Sequence, residues 1–313
     1  MGSRLKADLA LGFCSLIWGA TFVVVKDALD DASVLAFLAA RFALASAVLG
    51  AIYYSALRRL TGPAAWAGAQ IGFFMFAGYV CQTAGLQFTT PSKAAFITGF
   101  GVVLVPVLLA VFWQRHIHGW AWAGAVTALL GLYYLVVPPS TAESAFDGLL
   151  HLNRGDLLVF ACAVLFALHI IWVGRFSPQH SVRALSFVQV ATTFVLTSAA
   201  LLVAGATGLE PVRIAWTGGL VSAVLVTAIG ATALAFSVQV WAQRLATPSH
   251  TALLLALEPV FAAVTSYVVL GERLGGRALF GAGLILLGIV LAELKGPTQA
   301  APESPVPIHE SVE

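Results

Sequence analysis

Charge is what this sequence has least of. Of its 313 residues only 10% are Asp, Glu, Lys or Arg, 16 basic and 14 acidic, while 60% are hydrophobic, and the mean hydropathy is +0.94. A soluble chain of this length covers its surface with charged groups; one without them needs lipid as its solvent. Apolar runs fill nearly the whole sequence, which excludes a sizeable soluble domain. A net charge of +2 excludes the basic surface that nucleic acid requires. The three cysteines, Cys14, Cys81 and Cys162, lie inside apolar runs and form no C-x-x-C pair, so a disulfide framework or a zinc site has no support. His116 and His118, on either side of a turn with Arg115, read as loop residues rather than metal ligands. Reactive signatures are missing too: there is no H-E-x-x-H, no G-x-S-x-G, no P-loop and no pair of intramembrane aspartates. The sequence therefore predicts no catalytic residue, no metal, no cofactor and no ATP hydrolysis by the chain itself, and it points to no obligate protein partner.

What is present is a series of long apolar runs. A membrane-spanning helix needs about 20 apolar residues, and runs of that kind fall near 8–26, 34–56, 65–88, 92–113, 119–138, 156–174, 183–205, 217–241, 249–270 and 276–294. The first lacks a cleavage site and reads as a retained helix. Joints such as Arg58-Arg59, Gly62-Pro63, Glu210-Pro211 and Thr247-Pro248 fit short turns between antiparallel helices. Helices pair their own backbone groups, as lipid demands, and the runs are too long for barrel strands. With the N-terminus in the cytoplasm, nine basic residues (Arg4, Lys6, Arg58, Arg59, Arg115, Arg175, Arg183, Arg244, Lys295) lie inside and six outside. This bias puts both termini in the cytoplasm.

The sequence also repeats itself. Thr90-Pro91-Ser92 recurs as Thr247-Pro248-Ser249, 157 residues on, and the same ungapped offset pairs Gln82 with Gln239, Gly124 with Gly281, and Leu129-Leu130-Gly131 with Leu286-Leu287-Gly288. Asp8 opens the first half as Asp156 opens the second. The expected organisation is a first five-helix repeat over 1–138, a polar linker over 139–155, a second five-helix repeat over 156–295 and a disordered Pro-rich tail over 296–313. Five helices per copy is an odd number, which flips the second copy. The expected fold is thus an all-α membrane protein of ten transmembrane helices in two inverted repeats around a central cavity, an architecture suited to alternating access.

Leu16-Ile17-Trp18-Gly19-Ala20-Thr21-Phe22 resembles the opening of the EamA family of the drug/metabolite transporter superfamily. The second copy resembles it further in Leu257-Glu258-Pro259-Val260-Phe261, in Leu270-Gly271-Glu272-Arg273-Leu274 and in 281–288. The first copy departs from that pattern, with Gly101-Val102 in place of Glu-Pro and Gln114-Arg115 in place of Gly-Glu. The family-motif residues are Trp18, Gly19, Glu258, Pro259, Gly271, Glu272 and Arg273. The resemblance implies a secondary carrier of the bacterial inner membrane, similar to exporters of neutral or aromatic amino acids and other metabolites.

Polar groups inside lipid are costly and need a reason. Arg41, in the second run, is either a charge partner for a carboxylate on a solute or a side chain that snorkels or pairs near Asp30 and Asp31. Glu258 either supports backbone groups freed by Pro259 or exchanges a proton as the solute passes. Helical spacing sets His169 on one face with Phe166 and Trp172, Tyr79 with Gln82, Gln239 with Phe236, and Trp18 with Thr21. Such a mixture of rings, donors and acceptors suits an amphipathic solute, so the candidate cavity residues are Trp18, Thr21, Tyr79, Gln82, His169, Trp172, Phe236 and Gln239. The alternatives for each are interfacial anchoring and interhelical hydrogen bonding. Pro106 and Pro259 are expected to kink helices four and nine.

The expected function is export of a small organic solute, above all neutral or aromatic amino acids, with the lipid bilayer as medium and protons as a candidate driving partner. Efflux of drugs or other metabolites is one alternative; a membrane-embedded enzyme acting on lipids is an alternative of another class. A mostly neutral cavity is expected to disfavour strongly charged solutes.

Overall fold

The computed structural model describes residues 2–89, 91–136, 153–270 and 275–293. Most of the expected linker, the 296–313 tail and the motif residues Gly271, Glu272 and Arg273 lie outside the described residues. The last three residues of the expected linker, 153–155, already belong to the start of a helix.

Among the described residues the chain is helical, with no strand. In order, the elements are α1 (Ser3–Asp31), α2 (Val34–Leu57), α3 (Gly62–Leu86), α4 (Pro91–Gly99), α5 (Gly101–Trp113), α6 (Gly119–Val136), α7 (Arg154–Phe176), α8 (Val182–Thr207), α9 (Gly218–Leu225), a π-helical segment (Val226–Leu234), α10 (Ala235–Ala242), α11 (Pro248–Leu255), α12 (Glu258–Leu270) and α13 (Gly276–Glu293). Seven helical stretches are long and apolar enough to cross a bilayer, and with their apolar outer faces they make this an integral membrane protein. Starts follow local chemistry. The Asn153 side chain accepts from Asp156 N while the Asp156 carboxylate accepts from Asn153 N, a capping box for α7. Thr247 caps α11, with Pro248 in the first turn, where no amide donor is required. A loop clasps the α1–α2 corner from a distance: Glu210 accepts from Val34 N at 2.7 Å, and Thr217 donates to Asp31 at 2.5 Å.

The 157-residue offset reappears in the backbone. Moved by 157, α4 starts at the first residue of α11, α5 covers the span of α12, and α6 covers that of α13. The interruptions match as well. Phe100 N bonds Ile97 O at 3.1 Å, and Leu257 N bonds Leu254 O at 3.1 Å, the same three-residue bond one copy later. The breaks lie at Phe100 and at Ala256-Leu257, not at Pro106, which sits inside continuous α5. Two local chemistries produce one break: Gly99 and Gly101 flank it in the first copy, and Pro259, lacking a donor, follows it in the second. A third interruption, the π-helical segment, has no partner in α3, which is unbroken α-helix.

α2 packs on α8, and α6 packs along α13. The second contact is made through glycine. A Cβ on Gly124 would lie 2.5 Å from Gly288 O, and one on Gly131 would lie 2.6 Å from Gly281 O. The order of these pairs makes the two helices antiparallel, and because Gly124 corresponds to Gly281 and Gly131 to Gly288, the contact is symmetric. α1, α3, α4, α5, α7, α10, α11 and α12, with Arg41 of α2, line a common space.

Among the described residues, one that carries a side chain takes a left-handed backbone. Gln114, closing α5, has φ 50°, a left-handed conformation that costs a side-chain-bearing residue about 1 kcal/mol or more. The corresponding residue of the second copy is Gly271. Gln114→Gly is therefore expected to stabilise the protein by about 0.5–1 kcal/mol, read as a raised unfolding midpoint in detergent.

Candidate functional site

This common space is a cavity offering about 100 Å³ to the centres of water-sized solutes. At roughly 10–15 Å³ of such space per water, that is room for about seven to ten waters or one solute the size of an amino acid. Both helix breaks border it, through Thr98, Gly99 and Gly101 on one side and Leu255, Ala256, Glu258 and Pro259 on the other.

Its walls are aromatic. The Trp18 and Phe236 rings stand 5.0 Å apart, Tyr79 meets Phe166 edge-on at 5.2 Å, and His169 stands 5.5 Å from Phe236. Hydrogen bonds to neighbouring helices fix these rings. Trp18 Nε1 donates to Ala231 O at 2.8 Å, in the π-helical segment, and His169 Nε2 pairs with Gln189 Oε1 at 3.0 Å. Thr21 donates to Trp18 O at 3.0 Å. Phe236, His169 and Gln239 are almost fully buried, at 2%, 1% and 1% exposure, so they face the cavity rather than lipid.

One polar atom on this wall has no partner among the described residues, Gln239 Oε1. A buried polar atom left unpaired costs about 1–3 kcal/mol, so it is a ready contact for a polar solute. Among the cavity's lining residues are one carboxyl, Glu258, and one guanidinium, Arg41. Glu258 opens α12 directly after the break and lines the cavity, within electrostatic range of Tyr79 and Cys162. Arg41 reaches in from α2 at 2% exposure; its Nε donates to Thr232 Oγ1 at 2.8 Å and its Nη2 to Tyr79 Oη at 3.0 Å. It neither snorkels nor pairs with Asp30 or Asp31. The Asp31 carboxylate instead accepts from Thr217, and the Asp30 backbone carbonyl accepts from Arg213.

Trp18, Thr21, Tyr79, Gln82, His169, Phe236, Gln239, Glu258 and Pro259 thus share one cavity. Trp172 does not line it. Its indole donates to Gln70 Oε1 at 3.1 Å and packs with Phe74 and Trp113. His169 and Trp172 are three residues apart on one helical stripe, and the stripe is wider than the cavity. Gly19 packs against the backbone of Glu258 and Ala262. Thr98 and Gly99 were not singled out from the sequence; the pair of glycines around Phe100 is the signal that marks the spot.

The sequence pattern of the EamA-like transporter family matches residues 5–137 and again 153–294. The chain is 36% identical over 292 residues to an uncharacterized transporter of Archaeoglobus fulgidus, spanning 93% of this chain and 87% of that one. It is 26% identical to the uncharacterized transporter YvbV of Bacillus subtilis, over 95% of each. A solved protein crystal structure superposes with a TM-score of 0.72 at 19% identity, covering 93% of this chain and 97% of the other, which speaks for the fold alone.

Proposed function

The chain belongs to the EamA-like transporter family, and from that premise we propose that it is a secondary carrier exporting neutral or aromatic amino acids by alternating access of two inverted repeats. As a membrane transporter it handles a small solute within the bilayer. The observation that carries the amino-acid reading is the cavity itself: a box of Trp18, Tyr79, Phe166 and Phe236 with the unpaired Gln239 Oε1 on its wall, sized for one such solute. Rings of this kind attract both an apolar side chain and an ammonium group.

Several features support inversion. Element bounds recur at one offset, five helical passes per copy is an odd number, and the symmetric antiparallel contact of α6 with α13 is what a two-fold axis in the membrane plane generates. In this reading all ten passes span the membrane, with the matched breaks at Phe100 and Leu257 facing the solute near the midplane. The loop cations favour both termini in the cytoplasm, and the inner membrane is the proposed location.

Glu258 is the proposed site of proton coupling. It lines the cavity, follows a helix break, and has no hydrogen-bond partner among the described residues. The test is efflux of radiolabelled amino acids from liposomes holding the purified protein, with and without a pH gradient. Saturable flux of neutral or aromatic amino acids, stimulated about tenfold by the gradient, is expected. Glu258→Gln should transport at the unstimulated rate whatever the gradient. A Glu258→Gln protein still driven by the gradient would make the carboxyl structural. No flux of any amino acid would sink the amino-acid reading and shift the test to other metabolites and drugs.

A further inference from the structure

We propose that Arg41 is the anchor for a carboxylate on the transported solute, so that the cavity selects carboxylate-bearing solutes over analogues in which a neutral amide replaces the carboxylate. This rests on the carrier reading and adds the group that sets its specificity.

The guanidinium is the most deeply buried charge in the cavity, at 2% exposure on α2. Guanidinium groups keep their charge inside proteins. A buried cation is normally matched by a carboxylate, because desolvation is otherwise uncompensated. Arg41 has no such match. Its partners among the described residues are two neutral hydroxyls, Thr232 Oγ1 and Tyr79 Oη. Its Nη1 has no partner among them, while the residue lines the cavity. With Nε and Nη2 held by hydroxyls, Nη1 is the nitrogen left to donate a charge-assisted hydrogen bond to a carboxylate.

The guanidinium is also well oriented. Its central carbon sits 4.4 Å from the Tyr79 ring centroid and 5.5 Å from that of Phe42, so it is held against aromatic faces from α3 and from its own helix. Thr232 lies in the π-helical segment, the irregular stretch that α3, its counterpart, lacks. That segment is gripped twice from the cavity, by Arg41 at Thr232 and by Trp18 at Ala231. A carboxylate on Nη1 would set the rest of the solute among Trp18, Phe166 and Phe236. The one acidic group on the same cavity, Glu258, lies in electrostatic range of Tyr79 but forms no ion pair with Arg41. The guanidinium therefore stays open to a solute.

The competing role is a purely structural clasp joining α2, α3 and the π-helical segment. A clasp would affect every solute equally; an anchor discriminates. The test measures saturable uptake of L-phenylalanine and of L-phenylalaninamide, which differ at the carboxylate, into liposomes containing the full chain. The wild type is expected to prefer the acid in kcat/KM by about 30-fold or more, the size typical of a buried charge contact. Arg41→Met is expected to bring that ratio close to one, the acid losing far more uptake than the amide. Thr232→Val keeps the side-chain shape and loses only the hydroxyl on Nε, so it should lower the ratio several-fold even if Arg41→Met does not fold. Equal uptake of acid and amide by the wild type would overturn the anchor and leave the carrier reading standing. Preference retained in Arg41→Met would also overturn it. Absence of saturable uptake for both solutes would overturn the amino-acid reading and the anchor together.

Discussion

Gly281→Val is expected to leave little folded protein in the membrane, while Gly283→Ala, two residues along the same helix, is expected to be harmless. In lipid there is no hydrophobic force between helices, so α6 and α13 hold together by close packing of small residues. A Cβ at Gly281 would run into the backbone at Leu135 and Gly131, the latter at 2.6 Å, with no flexible side chain to give way. The helices would have to separate along a contact that also includes Gly124 and Gly288, and the core of Ala125, Ala128, Leu132 and Ile285 beside it would loosen. The cost is placed at about 3 kcal/mol or more, the upper end for overpacking. Nothing lies within 4 Å of a Cβ at Gly283, where alanine gains up to about 1 kcal/mol of helix propensity. The yield of monodisperse protein in detergent and the unfolding midpoint check both.

The second large effect is on transport. Gly19→Val is expected to lower flux at least about tenfold while the protein still inserts, an overpacking of about 1–3 kcal/mol acting beside the cavity. A Cβ at Gly19 would meet Glu258 O, Ala262 N at 2.9 Å and Phe261 Cβ at 3.1 Å. α1 would be pushed away from the first turn of α12. That turn carries Glu258, and the residue before Gly19 is Trp18, whose indole is bonded across to Ala231 O. One added group thus shifts a ring and a carboxyl of the same cavity. Gly12, on the same helix with open space around it, is the control: Gly12→Ala should transport at the wild-type rate. Flux in liposomes, normalised to reconstituted protein, decides. Gly19→Val at wild-type flux would mean that α1 and α12 separate without consequence for the solute path.

Gly19, Glu258 and Pro259 were legible as a motif, but not the reason they belong together. Gly19 is small because α12 crosses α1 there, 239 residues later in the chain. The aromatic stripes were legible at helical spacing, and most of them meet at the cavity. Trp172 shows the limit of spacing. A stripe three residues wide spans both the cavity and the neighbouring Gln70–Phe74 contact, and the helix's rotation, set by packing, decides which residue faces which. Proline marked the break beside Pro259 but not the one in the first copy, for a related reason. Pro106 is accommodated within α5, whereas the interruption lies where flanking glycines let the backbone tighten. Arg41 had two sequence readings because its neighbours in sequence, Asp30 and Asp31, are not its neighbours in space.

Membrane residence, the number of apolar runs and the 157-residue repeat were determined by the sequence alone. They are properties of composition and period, and lipid enforces them on each helix separately. The meeting of distant polar groups was decided only by the tertiary structure. Arg41 and Thr232 are 191 residues apart, and Trp18 and Ala231 are 213 apart. Each pair exists because packing brings helices from opposite halves close enough for side chains to reach, and no local rule encodes which donor then finds which acceptor.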